Sequence, residues 1–263
     1  MQNISASNSK EWDYSNQAQY YSYRPNYDVD AIDQLCARVG AKRNDEGYIV
    51  ADIGAGTGNL TVMLLERGLK CIAVEPNKSM RDIGIERTKN QKIEWREGSG
   101  EKSTLGDSSV DWFVMGSSFN TTDRILTLRE AHRVLKSGGY FSCMWNHRDI
   151  ENDPIQKRIE DIIVSVVPDY QRGVRREAQA DVILSSGLFN NVNYIEKSQK
   201  VRRTIDEYIK AWMSVKNKYW DFDTEEGRAI FEKITNEIKK EFEAVGYFDL
   251  VYTTRIWTAR TNK

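Results

Sequence analysis

The stretch Asp52-Ile53-Gly54-Ala55-Gly56-Thr57-Gly58 directly follows the apolar run Tyr48-Ile49-Val50-Ala51. The run reads as a buried strand, and the glycines as a turn that opens into a helix over Asn59 to Arg67. Glycine lets the backbone adopt angles forbidden to other residues and lets a ligand approach with no Cβ in the way. A second apolar run, Lys70-Cys71-Ile72-Ala73-Val74, ends in Glu75-Pro76, and Glu75 lies 21 residues after Gly54. An acid about 20 residues beyond a glycine loop is spaced to reach a ribose diol. The first half of the chain is therefore read as an α/β unit that holds a nucleoside.

The dinucleotide fingerprint is G-x-G-x-x-G, with a pyrophosphate at the helix N-terminus. Here the spacing is G-x-G-x-G followed by Asn59, with Asp52 two residues before the first glycine. That pattern resembles the first motif of class I S-adenosylmethionine-dependent methyltransferases, of the small-molecule, methyltransferase type 11/25-like kind, whose ligand carries no phosphate. Glu94 to Glu101 is similar to the family's third strand and the turn after it, and Val110 to Met115 to its fourth strand. Arg129-Glu130-Ala131-His132-Arg133-Val134-Leu135-Lys136-Ser137-Gly138-Gly139 is similar to the helix and turn before a fifth strand, Tyr140 to Trp145. The resemblance covers about residues 48 to 145 and runs more weakly to the C-terminus. It implies an α/β, Rossmann-like seven-stranded and mostly parallel sheet, the last strand antiparallel, with helical cap insertions.

Strands alternating with helices from Tyr48 to Trp145 independently argue a parallel sheet covered on both faces. Helices are expected over Val29 to Val39, Asn59 to Arg67, Ser79 to Lys89 and Asp123 to Leu135. After Trp145 the texture changes. Residues 150–185 are charged and mostly helical, Val192 to Val201 reads as a strand, Thr204 to Val245 as helices and Leu250 to Arg260 as the last strand. The expected organisation is a flexible tail and lid segment (1–28), a cofactor-binding core (29–149), and cap helices with the strands that complete the sheet (150–263).

A chain of 263 residues with net charge −1 has room for a sizeable core and offers no global basic field for nucleic acid. No apolar run reaches the roughly 18 residues a membrane helix needs. Met1 to Lys10 is polar and lacks the apolar centre of a secretory signal. The three cysteines, Cys36, Cys71 and Cys143, are far apart and read as buried small hydrophobes. With only His132 and His147 besides, no metal site is expected. These features point to a cytoplasmic protein.

Open α/β sheets bind ligands beyond the carboxyl ends of their strands, at the switch in strand order. The resemblance places Gly54, Gly56 and Gly58 against S-adenosyl-L-methionine, with Asp52 and Pro76 flanking the site. It places Glu75 on the ribose hydroxyls and Ser99, Gly100 and Glu101 around the adenine. Many relatives carry Asp where Ser99 stands, so a carboxylate contact to the adenine amino group is not expected there. Ser117 and Ser118 are expected near the transferable methyl. Trp12 to Tyr27 is dense in aromatics and resembles a lid helix. Within it Tyr20 offers a ring face to the sulfonium, and Arg24 a bidentate fork to the methionine carboxylate.

Met144-Trp145-Asn146-His147-Arg148-Asp149 closes the fifth strand and is expected to face the acceptor. His147 is a candidate general base or positioning donor. Relatives often carry His where Asn120 stands, which leaves Asn120 as a hydrogen-bonding group. Lysine and arginine clusters such as Arg172 to Arg176 read as solvated faces. The expected activity is methyl transfer to N or O of a small-molecule acceptor by in-line displacement. An RNA methyltransferase, an NAD-dependent oxidoreductase and a non-catalytic cofactor-binding protein remain alternatives, and neither acceptor nor oligomeric state is legible.

Overall fold

The computed structural model describes residues 14–171 and 176–263. In chain order the elements are α1 (Val29–Arg38), β1 (Ile49–Ile53), α2 (Asn59–Glu66), β2 (Lys70–Val74), α3 (Lys78–Arg87), β3 (Ile93–Arg96), β4 (Val110–Gly116), α4 (Arg124–Val134) and β5 (Leu135–Arg148). They continue as α5 (Pro154–Val166), α6 (Ala180–Ser185), β6 (Phe189–Arg203), α7 (Ile205–Met213), α8 (Glu225–Glu241) and β7 (Phe248–Thr261). The seven strands form one sheet in the order β3-β2-β1-β4-β5-β7-β6. The first five are parallel, and β7 runs antiparallel to both its neighbours.

Central strands of a sheet covered on both faces should be apolar at successive positions. In β4, Trp112, Phe113, Val114 and Met115 are all fully buried. Alternate residues then feed two cores. Phe113, Met115, Phe141, Cys143 and Trp145 pack beneath α4 and α6. Val50, Trp112, Val114 and Met144 pack beneath α1 and α2. The indole of Trp112 donates to Ser142 Oγ at 3.0 Å, and Ser142 shares a hydrogen bond with Thr258 at 2.9 Å. Side-chain hydroxyls thus stitch β4, β5 and β7 together inside the sheet.

A third core belongs to the cap. The β5–β7 ladder ends at Arg148 opposite Tyr252, whereas β7 continues beside β6 to Phe248 opposite Arg203. Phe248, Leu250 and Tyr252 lie on this overhang, and α5, α7 and α8 close over them with Ile159, Tyr208, Phe231 and Ile234, joined by Trp220 from the α7–α8 connection. Asp153 anchors the arrangement: one carboxylate oxygen caps α5 and the other accepts from Val251 N at 2.7 Å.

Two segments differ from the sequence reading. Leu135 to Gly139 was expected to finish a helix and turn. It enters β5 instead, and the ladder to β4 slips register between Val110 and Trp112. Gly138, at φ +73°, absorbs that slip. The lid segment, expected as a helix over Trp12 to Tyr27, contains a 3₁₀ turn over Ala18–Tyr23; Trp12 lies outside the described residues. Its backbone bonds Gln17 N to Tyr14 O, Tyr20 N to Gln17 O and Arg24 N to Tyr21 O all span three residues. Pro25 then prevents a longer helix, because a residue before proline is pushed to extended angles; Arg24 sits at φ −64°, ψ 139°.

Candidate functional site

Strand order reverses between β1 and β4, since β2 and β3 lie on one side of β1 and β4 on the other. The glycine loop leaves β1 at that switch. Gly54, Gly56 and Gly58 all adopt left-handed φ, +67°, +60° and +81°. At Gly54 a Cβ would lie 2.6 Å from Ser118 Cβ, and Ser118 Oγ donates to Ile53 O at 2.9 Å. At Gly56 a Cβ would meet Met80 Cε at 3.2 Å. A side chain at either position would fill space that the loop keeps between β1, β4 and α3.

Glu75, at the end of β2, is 7% exposed. Its Oε2 accepts from Gly56 N at 2.8 Å and its Oε1 from Asn77 N at 2.9 Å. Burial pushes its pKa up, while those two N–H groups and the Arg81 guanidinium oppose the rise. Each oxygen keeps a further lone pair. The carboxylate expected to meet a ribose therefore also holds the loop in shape. Pro76 O and Glu75 O both accept from Arg81.

Asp52 is fully buried and accepts from Thr61 Oγ1 at 2.6 Å, but its Oδ1 has no partner among the described residues. Burial, aided by the negative charge of Glu75, pushes its pKa up to about 7. Beside it the Tyr27 hydroxyl shares a 2.9 Å hydrogen bond with Ser117 Oγ. Ser117 holds left-handed φ, +59°, at the end of β4. A non-glycine residue there stores strain of order 1–3 kcal/mol, a feature that clusters at ligand sites.

The third loop carries Ser99, Gly100 and Glu101. Ser99 and Lys102 exchange backbone hydrogen bonds, which makes a tight turn. A Cβ on Gly100 would come within 2.8 Å of Thr127 Oγ1. Glu101 accepts from Asp123 N at 2.8 Å, so its carboxylate ties this loop to the start of α4.

Other expected residues have different partners. Arg24 donates from Nε to Ser214 Oγ and from Nη2 to Ser214 O, both at 2.7 Å, and lies 4.1 Å over the Tyr21 ring. Its fork is thus engaged at the C-terminus of α7. Tyr20 sits half-buried in the 3₁₀ turn. Asn120 Oδ1 accepts from the Trp145 indole at 2.8 Å. His147, half-buried opposite Thr253, lies two residues beyond Trp145 and so on the same face of β5. Arg148 turns to the opposite face, under the cap.

Sequence reading missed Arg87. From the last turn of α3 it donates to Thr57 O at 2.7 Å and Asn59 Oδ1 at 2.6 Å, and Asn59 in turn donates to Tyr21 O at 3.3 Å. One guanidinium thus links the glycine loop, α3 and the lid. No local signal marks it, since its role depends on a contact about 30 residues away in sequence. Among the described residues no His, Cys, Asp and Glu cluster fits a metal, and no helix is long and apolar enough to cross a membrane.

Residues 51–143 match the family model of a methyltransferase domain. The chain is 37% identical over 130 residues to an uncharacterized methyltransferase of Mycobacterium bovis, covering 49% of this chain and 50% of that one. It is 33% identical over 99 residues to a ubiquinone/menaquinone biosynthesis C-methyltransferase of Rubrivivax gelatinosus, covering 37% and 39%. The chain thus spans about half the length or less of these curated relatives. In fold it is similar to a phosphoethanolamine N-methyltransferase of Haemonchus contortus solved with S-adenosyl-L-methionine. There the TM-score is 0.55 at 14% identity, covering 97% of this chain and 59% of that one.

Proposed function

We propose that this chain belongs to the class I S-adenosylmethionine-dependent methyltransferases, a reading supported by the match of residues 51–143 to a methyltransferase domain, and that it moves a methyl group from S-adenosyl-L-methionine to a small-molecule acceptor. The observation that carries the reading is the glycine loop at the strand-order switch, held open by the Glu75 carboxylate. The residues present fit the cofactor. Glu75 keeps one lone pair per oxygen for a vicinal diol, and the turn at Ser99 and Gly100 offers a backbone ledge for adenine. The unpartnered Asp52 Oδ1 adds negative charge behind the loop, which favours a cationic ligand.

When bound, the cofactor supplies an electrophilic methyl group on a sulfonium. The chain's own residues then bind, orient and exclude water. Most of the acceleration comes from positioning, for which about 7–11 kcal/mol is available. Tyr27 and Ser117 shape the end of β4, and the lid, tied to the loop through Asn59 and to α7 through Arg24, covers the site. His147 is proposed to receive a proton or orient the acceptor, and Asn120, which accepts from the Trp145 indole, to serve as a hydrogen-bonding group. Nitrogen or oxygen is the proposed target atom.

Calorimetry tests the cofactor step. Micromolar binding of S-adenosylmethionine and S-adenosylhomocysteine, about −8 kcal/mol, with NAD far weaker, is the expected result; the reverse preference overturns the proposal. A labelled-methyl screen against cell extract then identifies the acceptor. With that substrate, His147→Ala removes the acid limb of the rate profile if His147 is the base, and raises mainly the acceptor's KM if it only orients.

A further inference from the structure

The cap core contains four buried donors that have no acceptor among the described residues: Arg148 Nη1, Tyr208 Oη, Trp220 Nε1 and Asn217 Nδ2. Buried polar groups are nearly always paired, and an unmet one costs about 1–3 kcal/mol. Tyr208 and Trp220 are each only 1% exposed. The four belong to one neighbourhood. Arg148 lies 4.4 Å over the Trp212 ring, Trp212 and Trp220 are 5.4 Å apart, and Asn217 Oδ1 accepts from Trp220 N at 3.2 Å. Arg148 and Trp212 approach the Tyr208 hydroxyl closely enough to oppose the rise that burial imposes on its pKa, but no contact with hydrogen-bond geometry meets Tyr208 Oη or Arg148 Nη1 among the described residues.

The neighbourhood also lies where an acceptor would dock. Arg148 ends β5, on the carboxyl side of the sheet, and α7 above it is the helix that receives Arg24 of the lid. Its chemistry narrows the ligand. A cluster of donors without acceptors calls for oxygen atoms, and a guanidinium favours an anion. Glu160 Oε2 already accepts from Arg148 Nη2 at 2.6 Å, so the pair is neutral overall. A dianion such as phosphate, buried beside Glu160, would meet a large desolvation and repulsion cost. A monoanion is the better match, and the neighbouring rings of Trp212 and Trp220 suit an apolar body.

We propose that the cap binds a monocarboxylate group of the methyl acceptor, one carboxylate oxygen on Arg148 Nη1 and the other on Tyr208 Oη, with the apolar body against Trp212 and Trp220. The site would make this enzyme selective for carboxylic acids with an apolar or aromatic skeleton. This rests on the methyltransferase reading for the ligand's role, but not for its binding.

The full chain, saturated with S-adenosylhomocysteine at pH 8, is titrated with indole-3-acetate, cinnamate and octanoate and with their primary amides. Tryptophan fluorescence and saturation-transfer NMR report binding. At least one acid should saturate, with its amide weaker by about tenfold or more. Tyr208→Phe should weaken that acid by about tenfold while leaving the amide unchanged, the scale of one hydrogen bond to a charged group. Arg148→Lys should weaken it further, because an ammonium cannot hold Glu160 and a ligand oxygen on two fixed, divergent nitrogens as the planar guanidinium does. If Arg148→Lys does not fold, the Tyr208→Phe arm still decides. Failure of all three acids to saturate, acids and amides binding alike, or an unchanged affinity in Tyr208→Phe would each overturn the proposal. S-adenosylhomocysteine binding with no acid selectivity would sink the carboxylate site alone. No nucleoside binding would sink the methyltransferase reading, and the acid titration would still be scored on its own.

Discussion

The glycine-loop region and the cap treat buried polar groups in opposite ways. Around the loop nearly every such group has a defined partner. Glu75 is met by Gly56 and Asn77, Glu130 accepts from Ser103 and Arg133, and Trp112 reaches Ser142. The cap instead buries donors that have no acceptor among the described residues. On the proposed reading, the cofactor meets a preformed cradle, whereas the acceptor site leaves hydrogen-bonding capacity for its ligand to complete. Asp52 Oδ1, at the end of β1, and Gln17 Oε1, at the start of the lid, are exceptions on the loop side.

The sharpest way to break this contrast is at Gly56. Gly56→Val demands a left-handed β-branched residue and drives its Cγ atoms toward Met80. Cofactor affinity should fall by more than about 100-fold, since strain of 1–3 kcal/mol adds to the lost space. Normal calorimetry with an unchanged circular dichroism spectrum would show that the loop is not a cradle.

Asp52 tests one of these exceptions. Its folded pKa is about 7, above the ordinary aspartate value of about 3.9, so the folded state binds the extra proton between those limits. Stability therefore falls as pH rises from about 4 to about 7 and stays low above that. Asp52→Asn should stabilise the protein at pH 8 by something on the order of 2–4 kcal/mol and change little at pH 4. Thermal melts at both values check it; equal shifts would mean Asp52 is not a strained acid.

Glu75→Ala removes the brace and the proposed ribose acceptor together. Adenosyl binding should weaken by roughly 1.5–3 kcal/mol. A 2′-deoxyribose analogue should lose much less further affinity in the variant than in the wild type. Identical losses in both would confine Glu75 to bracing the loop.

The smallest effect is expected in the cap. Tyr208→Phe deletes a hydroxyl that has no partner, so stability should stay within about 0.5 kcal/mol of wild type or rise slightly. A loss of more than about 1 kcal/mol in urea unfolding would reveal a structural hydrogen bond and erase the difference between the two regions.

Much of this molecule was written locally. Ile49 to Gly58 declares a strand and a left-handed turn because an apolar run followed by spaced glycines has few other physical outcomes, and Val110 to Met115 declares a central strand for the same reason. Asp28, Asn77 and Asp123 cap their helices as short acceptors at N-termini should. Glu75 was legible by spacing, but not its grip on Gly56 N, which depends on β1 and β2 lying in register. The lid was read as a helix because its aromatics are dense, and density says nothing about backbone angles. Arg24 was expected to reach the cofactor's carboxylate, yet its partner is Ser214, about 190 residues away.

By itself, then, the sequence determined the α/β order of elements, the glycine loop and the acid after β2, because each follows from neighbours along the chain. Only the tertiary structure decided where Arg87, Arg148 and Tyr208 act. Their partners lie on other elements, and a long side chain's role is set by which donor or acceptor the packed fold brings within 3 Å, a quantity no local pattern contains.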